Sequence, residues 1–215
     1  MAKSKNIGVC LLCKQNVEHR IITKHVEKCL EQNVLNSTAE KNEQGKVFLI
    51  KIFAGKEFWI YIEINGSSTL NDLDDFLREI WLECCGHLSQ FIINRSDYAN
   101  DSKKAKTILD TLPVGTEFLY EYDFGDTTEL AGLVISVRSG KLQEKIRLIA
   151  RNNLPENIQC MSCKKTPIVI CSCCYDFYCK KCKKDHKNCD GEEYMLPVVN
   201  SPRMGVCGYT GPDDE

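Results

Sequence analysis

Residues 160–189, CMSCKKTPIVICSCCYDFYCKKCKKDHKNC, decide how the C-terminal part of this chain folds. Seven cysteines and one histidine in this stretch follow the spacing C-x2-C-x7-C-x2-C-x4-C-x2-C-x3-H-x2-C. Cysteine pairs two residues apart, repeated along a short segment, are typical of structural zinc sites. We predict two interleaved four-ligand sites, because alternate pairs meet where the chain crosses over itself. The first set is Cys160, Cys163, Cys179 and Cys182, and the second is Cys171, Cys174, His186 and Cys189.

A third set of metal ligands lies near the N-terminus, with the spacing C-x2-C-x11-H-x3-C. His25 and Cys29 are four residues apart, so a helix places both on one face. His19 is a competing ligand, but the spacing favours His25. A finger this short needs a metal ion to fold. The predicted ligands are Cys10, Cys13, His25 and Cys29.

The composition agrees with about three zinc ions, all structural. The chain has fourteen cysteines, and its first nine residues are too short and polar for a secretory signal. We therefore expect the reducing cytoplasm, where such thiols bind metal rather than form disulfides. No apolar run approaches the roughly 20 residues of a membrane span, so no membrane association is expected.

Charge argues against strong non-specific binding of nucleic acid by the whole chain. The formal net charge is −2, and thiolates bound to three zinc ions would bring it to about −6. A local basic patch is nevertheless present beside the last predicted ligands, and DNA or RNA is an alternative partner there. The patch consists of Lys180, Lys181, Lys183, Lys184 and Lys187.

Five segments follow from these patterns. Residues 1–32 are predicted to form a zinc finger, 33–45 a polar linker, 46–150 the main domain, 151–159 a short connection, and 160–215 the two-zinc module and tail.

The main domain is predicted to be α+β, with a mostly antiparallel sheet and one principal helix packed on it. Residues 47–53 and 57–64 form a predicted hairpin. Thr69 and Asp72 are placed as a capping box before a helix with an apolar face, and Gly86 ends that helix. Further strands are predicted at residues 89–94, 116–122, 129–138 and 145–150, with a short helix or loop at 103–112.

Three resemblances to known families follow from these residues. The stretch CLLCKQNVEHRIITKHVEKCL, residues 10–30, resembles ubiquitin-binding zinc fingers of the UBZ type. The resemblance implies a ubiquitin-like partner through Glu27, which stands where the family usually has Asp. A plain structural finger with a solvated polar face is the alternative. The spacing in residues 160–189 resembles B-box and related cross-brace zinc domains, which are mostly interaction modules.

Residues 70–93 (LNDLDDFLREIWLECCGHLSQFII) together with GTEFLYEYDFGDTTEL, residues 115–130, resemble the pRiA4b ORF-3 family, also called transposon-passenger TnpR-like. The resemblance covers about 46–150 and implies an α+β domain, often encoded near mobile elements, without an established activity. Many members carry Trp and His shortly after the Tyr-Asp-Phe-Gly-Asp turn. Thr127, Thr128 and Leu130 occupy that region here, and the zinc module replaces the usual C-terminus.

Cys84, Cys85 and His87 are a further candidate group. They could join Asp126 in a fourth metal site, but we favour an interpretation in which Cys84 belongs to the core and His87 packs on the 122–126 turn. Cys173 could replace Cys174 as a ligand by a shift of one residue. Cys207 is left unassigned, either as a ligand returned from the tail or as a free buried cysteine.

The function predicted from these patterns is that of a zinc-binding interaction or adaptor protein without catalysis. Nothing in the sequence pairs a nucleophile with a base or forms a phosphate-binding loop. A nucleic-acid-associated protein linked to mobile elements is the first alternative. A hydrolase or nuclease using Asp123, Asp126, Glu129 and His87 is less favoured, since turn chemistry explains Asp126 more simply.

Overall fold

The structure is a computed structural model that describes residues 6–36, 45–186, 189 and 194–212. Its strands are β1 (Ile7–Cys10), β2 (Asn16–Glu18), β3 (Lys46–Ala54), β4 (Phe58–Asn65), β5 (Ser89–Ile93), β6 (Ser96–Tyr98), β7 (Glu117–Tyr122), β8 (Thr128–Ser139), β9 (Ile146–Asn152), β10 (Val169–Cys171), β11 (Phe177–Tyr178) and β12 (Met195–Pro197). The helices are α1 (Ile22–Asn36), α2 (Leu70–Leu77), α3 (Asp101–Lys104) and α4 (Ile108–Thr111), with a π-helical turn at Arg78–Leu82 and a 3-10 turn at Cys182–Asp185.

Strands β1 to β9 form one antiparallel sheet in the order β2-β1-β9-β4-β3-β8-β7-β5-β6. The predicted α+β class is confirmed. The long pair β3 and β4 is the hairpin expected from alternating and continuous apolar runs. A second sheet, in the order β11-β10-β12, lies in residues 160–197, which we call the C-terminal module. Within the described residues, no helix has the length and apolar character needed to span a membrane.

Helix α2 begins as its sequence predicts. Thr69 accepts a hydrogen bond from the amide of Asp72, and the Asp72 carboxylate accepts one from the amide of Thr69, which completes the capping box. The helix ends earlier than its apolar pattern indicates, because the chain widens into the π-helical turn after Leu77. That turn buries the adjacent side chains of Trp81 and Leu82 together, and Glu83 is already extended.

The two faces of the large sheet are covered by different parts of the chain. Helix α2 and the π-helical turn pack on one face and enclose the larger core, which includes Ile62, Leu73 and Phe91. Helix α1 covers part of the opposite face, where Ile22 and Val26 join a smaller core with residues of β3, β4 and β9. Strands β3 and β4 are therefore apolar on both faces, which explains their nearly continuous hydrophobic sequence.

The N-terminal segment is built into the sheet rather than hanging from it. Strand β1 pairs with β9, with Gly8 opposite Asn152, and the amide of Leu11 donates to the carbonyl of Ile149. Close approach requires glycine at position 8, because a Cβ there would lie 2.2 Å from the ring of Trp59. The sequence did not reveal this pairing, since a four-residue strand carries too little pattern.

We expect Gly8→Ala to destabilise the protein by about 1–3 kcal/mol, the usual cost of forcing extra volume into a packed site. The added methyl group would push Trp59 aside or separate β1 from β9. Urea unfolding followed by tryptophan fluorescence measures the change. The exposed β2 variant Asn16→Ala serves as the control, and an equal midpoint for the two variants would show that β1 is not closely packed.

A buried polar network joins α2, α3, β5 and β7. The ammonium group of Lys104 lies 2.9 Å from the Asp74 carboxylate and donates to the hydroxyl of Ser89 at 2.7 Å. The Asp74 carboxylate also accepts from Ser89 at 2.7 Å and from the hydroxyl of Tyr120 at 2.5 Å. Arg78 pairs with the same carboxylate at 3.3 Å. The buried charges are thus paired and hydrogen-bonded, as burial requires.

Candidate metal centres

In the part of the chain that the structure describes, four groups of cysteine and histidine residues each gather four potential ligand atoms, one from each residue, within 4.8 Å of one another. Each group could hold a metal ion. Three of them are the sets predicted from spacing, so all twelve predicted ligands meet in the expected combinations. We name them site 1 (Cys10, Cys13, His25, Cys29), site 2 (Cys160, Cys163, Cys179, Cys182), site 3 (Cys171, Cys174, His186, Cys189) and site 4 (Cys84, Cys85, His87, Cys207).

Three of the C-x2-C pairs adopt the same backbone turn. In each, the amide of the first cysteine donates to the carbonyl five residues later, and the amide four residues later donates back to that cysteine's carbonyl. The residue after the second cysteine has φ of 60–62°, in the left-handed region. The repeated geometry turns both thiols of a pair toward one point. The turns begin at Cys10, Cys160 and Cys171, with left-handed residues Lys14, Lys164 and Tyr175.

Site 1 lies between the first of these turns and helix α1. The Nε2 atom of His25 is 3.2 Å from the Cys13 sulfur and 3.4 Å from the Cys29 sulfur. Cys10 and Cys29 are buried in the core beneath α1, and Cys13 is exposed. A metal ion here would connect the β1–β2 hairpin to α1, the element that covers one face of the sheet.

Sites 2 and 3 interleave as predicted. Cys163 and Cys179 bring their sulfur atoms to 3.6 Å across site 2. In site 3 the His186 ring lies 3.9 Å from the Cys174 sulfur and packs against Tyr178 with ring centroids 4.5 Å apart. Cys174, and not its neighbour Cys173, completes site 3. Each half of the C-terminal module thus contributes to both sites.

The thiols of site 2 have unequal pKa values. Burial raises the pKa of Cys160, but hydrogen bonds from the backbone amides of Cys179 and Cys163 outweigh it and lower that pKa to about 6. The hydrogen bond to Cys163 and the other crowded sulfur atoms raise the pKa of Cys182 to about 12. One thiol in site 2 therefore ionises readily while another retains its proton. A bound dication displaces such protons, so metal binding should weaken as pH falls.

Site 4 joins residues far apart in the sequence. The chain bends at Cys84 and Cys85, whose sulfur atoms are 3.8 Å apart. The Cys85 sulfur lies 3.7 Å from that of Cys207. His87 Nε2 lies 2.9 Å from the Cys85 sulfur and 3.2 Å from the Cys207 sulfur.

The other nitrogen of the His87 ring faces a carboxylate. His87 Nδ1 is 3.4 Å from Asp123, and Asp123 in turn receives a 2.6 Å hydrogen bond from Arg203. Arg203 is fully buried and also donates to the carbonyl of Asp126 and to the hydroxyl of Thr128. The hydrogen bond from Arg203 holds the pKa of Asp123 below its usual range. The carboxylate orients the imidazole so that Nε2 points toward the three thiols.

Sequence reasoning identified three members of site 4 and missed the fourth. The expected packing of His87 on the 122–126 turn is present, with its ring edge-on to Tyr122 at 5.7 Å, and Cys84 packs against the main core. Asp126 does not join the group; Cys207 takes the position considered for it. Cys207 is 120 residues from His87 in sequence, so no local spacing could have revealed the pairing.

Two regions were predicted to bind a partner, the surface around Glu27 and the basic patch near site 3. Glu27 is half-buried on α1 beside Tyr61 of strand β4, whose pKa is raised chiefly by burial and further by the charge of Glu27. Three lysines of the basic patch, Lys180, Lys181 and Lys184, are exposed, and Lys183 is half-buried. Lys187 lies outside the described residues.

Comparisons with known proteins add little to this geometry. No protein-family model matches the chain, and no curated protein matches it. A solved structure of a protein of unknown function from Methanosarcina mazei Go1 is similar over 50% of this chain and 68% of its own length. The identity is 20% and the TM-score 0.42.

Proposed function

We propose that this chain is a zinc-stabilised, non-catalytic interaction protein of the pRiA4b ORF-3-like family, with zinc ions in sites 1, 2 and 3. The observation that carries the proposal is that four protein ligands converge at each site. Thiolates with at most one imidazole select zinc among common divalent ions. In site 2 the 3.6 Å between Cys163 and Cys179 is close to the roughly 3.8 Å that tetrahedral zinc–sulfur geometry gives.

The same ligand sets favour a structural over a catalytic role. A catalytic zinc keeps one position open for water or substrate, whereas four protein ligands fill all positions of a tetrahedral ion. Of the carboxylates considered for hydrolysis, one is engaged elsewhere and another is exposed on the sheet. Asp123 holds Arg203, and Glu129 lies on β8 opposite Glu121 of β7, at an exposed position.

A surface suited to a protein partner lies on the face of the sheet not covered by α2. A row of apolar side chains crosses four neighbouring strands, because Ile92 pairs with Leu119, Leu119 with Ala131, and Ala131 with Phe53. The row borders a shallow cavity of about 420 Å³, and Leu119 is 48% exposed. Exposed apolar groups in a continuous row are typical of interaction sites. We call this row the apolar row.

We expect Leu119→Lys to reduce binding of the protein partner at least tenfold while leaving the fold intact. A charge at the centre of the row would have to be desolvated on binding, which costs more than the roughly 1.4 kcal/mol of a tenfold change. The measurement is cross-linking and affinity capture of partners from the native host, followed by titration of the recovered partner against both proteins.

A matched control is available in Leu109→Lys. Leu109 lies on α4 with 47% exposure, almost the same as Leu119, and away from the apolar row. Capture should be unaffected by Leu109→Lys. Equal binding by the two variants would remove the apolar row from the proposal.

Nucleic acid is the second candidate, supported by the exposed lysines at the 3-10 turn beside site 3. Replacing Lys180, Lys181 and Lys184 by Gln would then weaken binding to a DNA or RNA oligonucleotide and reduce its salt dependence. Absence of binding by the wild-type protein at low salt would dismiss this candidate.

A ubiquitin-like partner at Glu27 would compete with the contact between α1 and the chain's own sheet, so the apolar row is the better-supported surface.

A further inference from the structure

We propose that Cys84, Cys85, His87 and Cys207 bind a fourth zinc ion, which fastens the C-terminal tail to the central sheet. The tail is residues 198–212, which follow the C-terminal module. The interpretation favoured from the sequence treats Cys84 and His87 as packing residues, and the two interpretations differ in whether metal is bound. Three thiols and an imidazole complete a closed, tetrahedral ligand set of the same type as sites 1 and 3.

The sulfur–sulfur distances fit a tetrahedral ion. Zinc with bonds of about 2.3 Å to sulfur holds two sulfur atoms about 3.8 Å apart. The sulfur atoms of Cys84 and Cys85 are 3.8 Å apart, and those of Cys85 and Cys207 are 3.7 Å apart. A disulfide needs about 2.05 Å between sulfur atoms. The group is therefore arranged around a common centre rather than as a bonded pair.

The groups around the site are arranged as metal sites usually are. A histidine that binds metal through one nitrogen commonly presents the other to a carboxylate, which fixes the ring and raises its basicity. Asp123 meets His87 Nδ1 in this way and is itself held by Arg203. Neither feature is required if His87 only packs against Tyr122. This carboxylate is the second observation that points to a ligand at Nε2.

The backbone is also shaped to bring these residues together. Cys207 and Asp123 both have positive φ, 49° and 66°. A non-glycine residue in the left-handed region is uncommon, and such strain persists where the surroundings require it. Cys207 and Gly208, with φ of 49° and 72°, are the central residues of a turn closed by the hydrogen bond from the amide of Tyr209 to the carbonyl of Val206. The turn places the exposed Cys207 thiol beside the other three ligands.

The tail connects the module to the sheet through three further contacts. The hydroxyl of Ser201 donates to the carbonyl of Trp81 at 2.6 Å. Asn200 and Asn152 exchange hydrogen bonds of 2.7 and 2.8 Å. Gly205 packs so closely against Ile170 of β10 that a Cβ would lie 2.7 Å from it. Metal at site 4 would hold the tail here, and with it the module's position on the sheet.

The test is a comparison of Cys207→Ser with Cys173→Ser in the full chain purified without chelator. Cys173 is an exposed cysteine outside every ligand group, so it controls for loss of a thiol. Native mass spectrometry should give four zinc ions for the wild type and Cys173→Ser, and three for Cys207→Ser. Hydrogen exchange of residues 198–209 should accelerate at least tenfold in Cys207→Ser and should be unchanged in Cys173→Ser. Cys85→Ser, also at an exposed position, should reproduce both effects.

The possible failures of this proposal can be told apart from failure of the proposed function. Three zinc ions in both wild type and Cys207→Ser would overturn site 4 and leave sites 1 to 3 standing. A wild-type chain lighter by two hydrogens, with Cys85 and Cys207 linked, would also overturn it. Unchanged exchange in the tail of a three-zinc Cys207→Ser protein would refute the fastening role.

Discussion

Metal removal is expected to unfold residues 160–189 and to leave most of the nine-stranded sheet folded. Among the described residues, the buried apolar cluster of the C-terminal module comprises Val169, Cys171 and Tyr178, Ile170 is a further buried apolar side chain, and all three of its strands are three residues long or shorter. So small a core cannot offset the conformational entropy of folding. A structural zinc site contributes about 10–16 kcal/mol of apparent binding free energy, so the module depends on sites 2 and 3.

The central sheet responds differently because its core does not depend on metal. Ile50, Ile62, Leu73 and other fully buried residues pack together without any predicted ligand among them. The N-terminal segment is intermediate, since site 1 shares a core with Trp59. We therefore expect chelation to expose Trp59 and shift its fluorescence, while Trp81 in the main core keeps its environment.

Hydrogen exchange measured by mass spectrometry, before and after chelation, tests this directly. Protection should fall to that of an unfolded chain in residues 160–189 and persist in β3, β4 and β8. The control is the same chelator saturated with zinc beforehand, and added zinc should restore protection. Full protection of residues 160–189 in protein proven metal-free would show that these cysteines do not hold a fold-determining ion.

Lys104→Met is expected to cost about 3 kcal/mol of unfolding free energy. Removing one partner of a buried ion pair costs about 3–5 kcal/mol because the other charge is left unpaired. The lower end applies here, since Arg78 remains 3.3 Å from Asp74. Urea unfolding of wild type and variant at neutral pH measures the difference. Lys103→Met is the matched control: its side chain is 45% exposed beside Asp97, and a loss below about 1 kcal/mol is expected.

The pH dependence of the same variant has a defined sign. Burial raises the pKa of Asp74, but hydrogen bonds from Tyr120, Ser89 and Lys104 lower it more, so the folded-state pKa lies below the ordinary value. The stability this carboxylate contributes is complete above about pH 4, the pKa of an unfolded Asp, and is lost as pH falls further. Without Lys104 the ionised form of Asp74 is stabilised less, so the folded-state pKa of Asp74 lies closer to the ordinary value. Lys104→Met should therefore lose less stability on acidification than wild type. Parallel losses in the two proteins would contradict this account of the network.

Local spacing predicted the parts of this molecule that depend on local geometry. A C-x2-C pair specifies a tight turn, and His25 with Cys29 specifies one helix face, so sites 1 to 3 could be read from the chain. The capping box of Thr69 and Asp72 was recognisable for the same reason. The hairpin of β3 and β4 followed from a hydrophobic run with a glycine turn.

Contacts between distant segments could not be derived in this way. Strand β1 joins β9 because Gly8 leaves room for Trp59, a complementarity that involves three separate segments. Cys207 meets Cys85 only because Arg203 and Ser201 anchor the tail to the 122–126 turn and to Trp81. The π-helical turn at Arg78–Leu82 likewise reflects packing of Trp81 and Leu82 and not an intrinsic preference.

The central claim is that this chain is organised by closed metal sites, and metal content tests it most directly. Native mass spectrometry of protein purified without chelator or added metal should give four zinc ions per chain and fully reduced thiols on denaturation. Three ions would retain the structural role of sites 1 to 3 and remove site 4. A metal-free chain with an intact fold, or one whose cysteines are oxidised in pairs, would contradict the account.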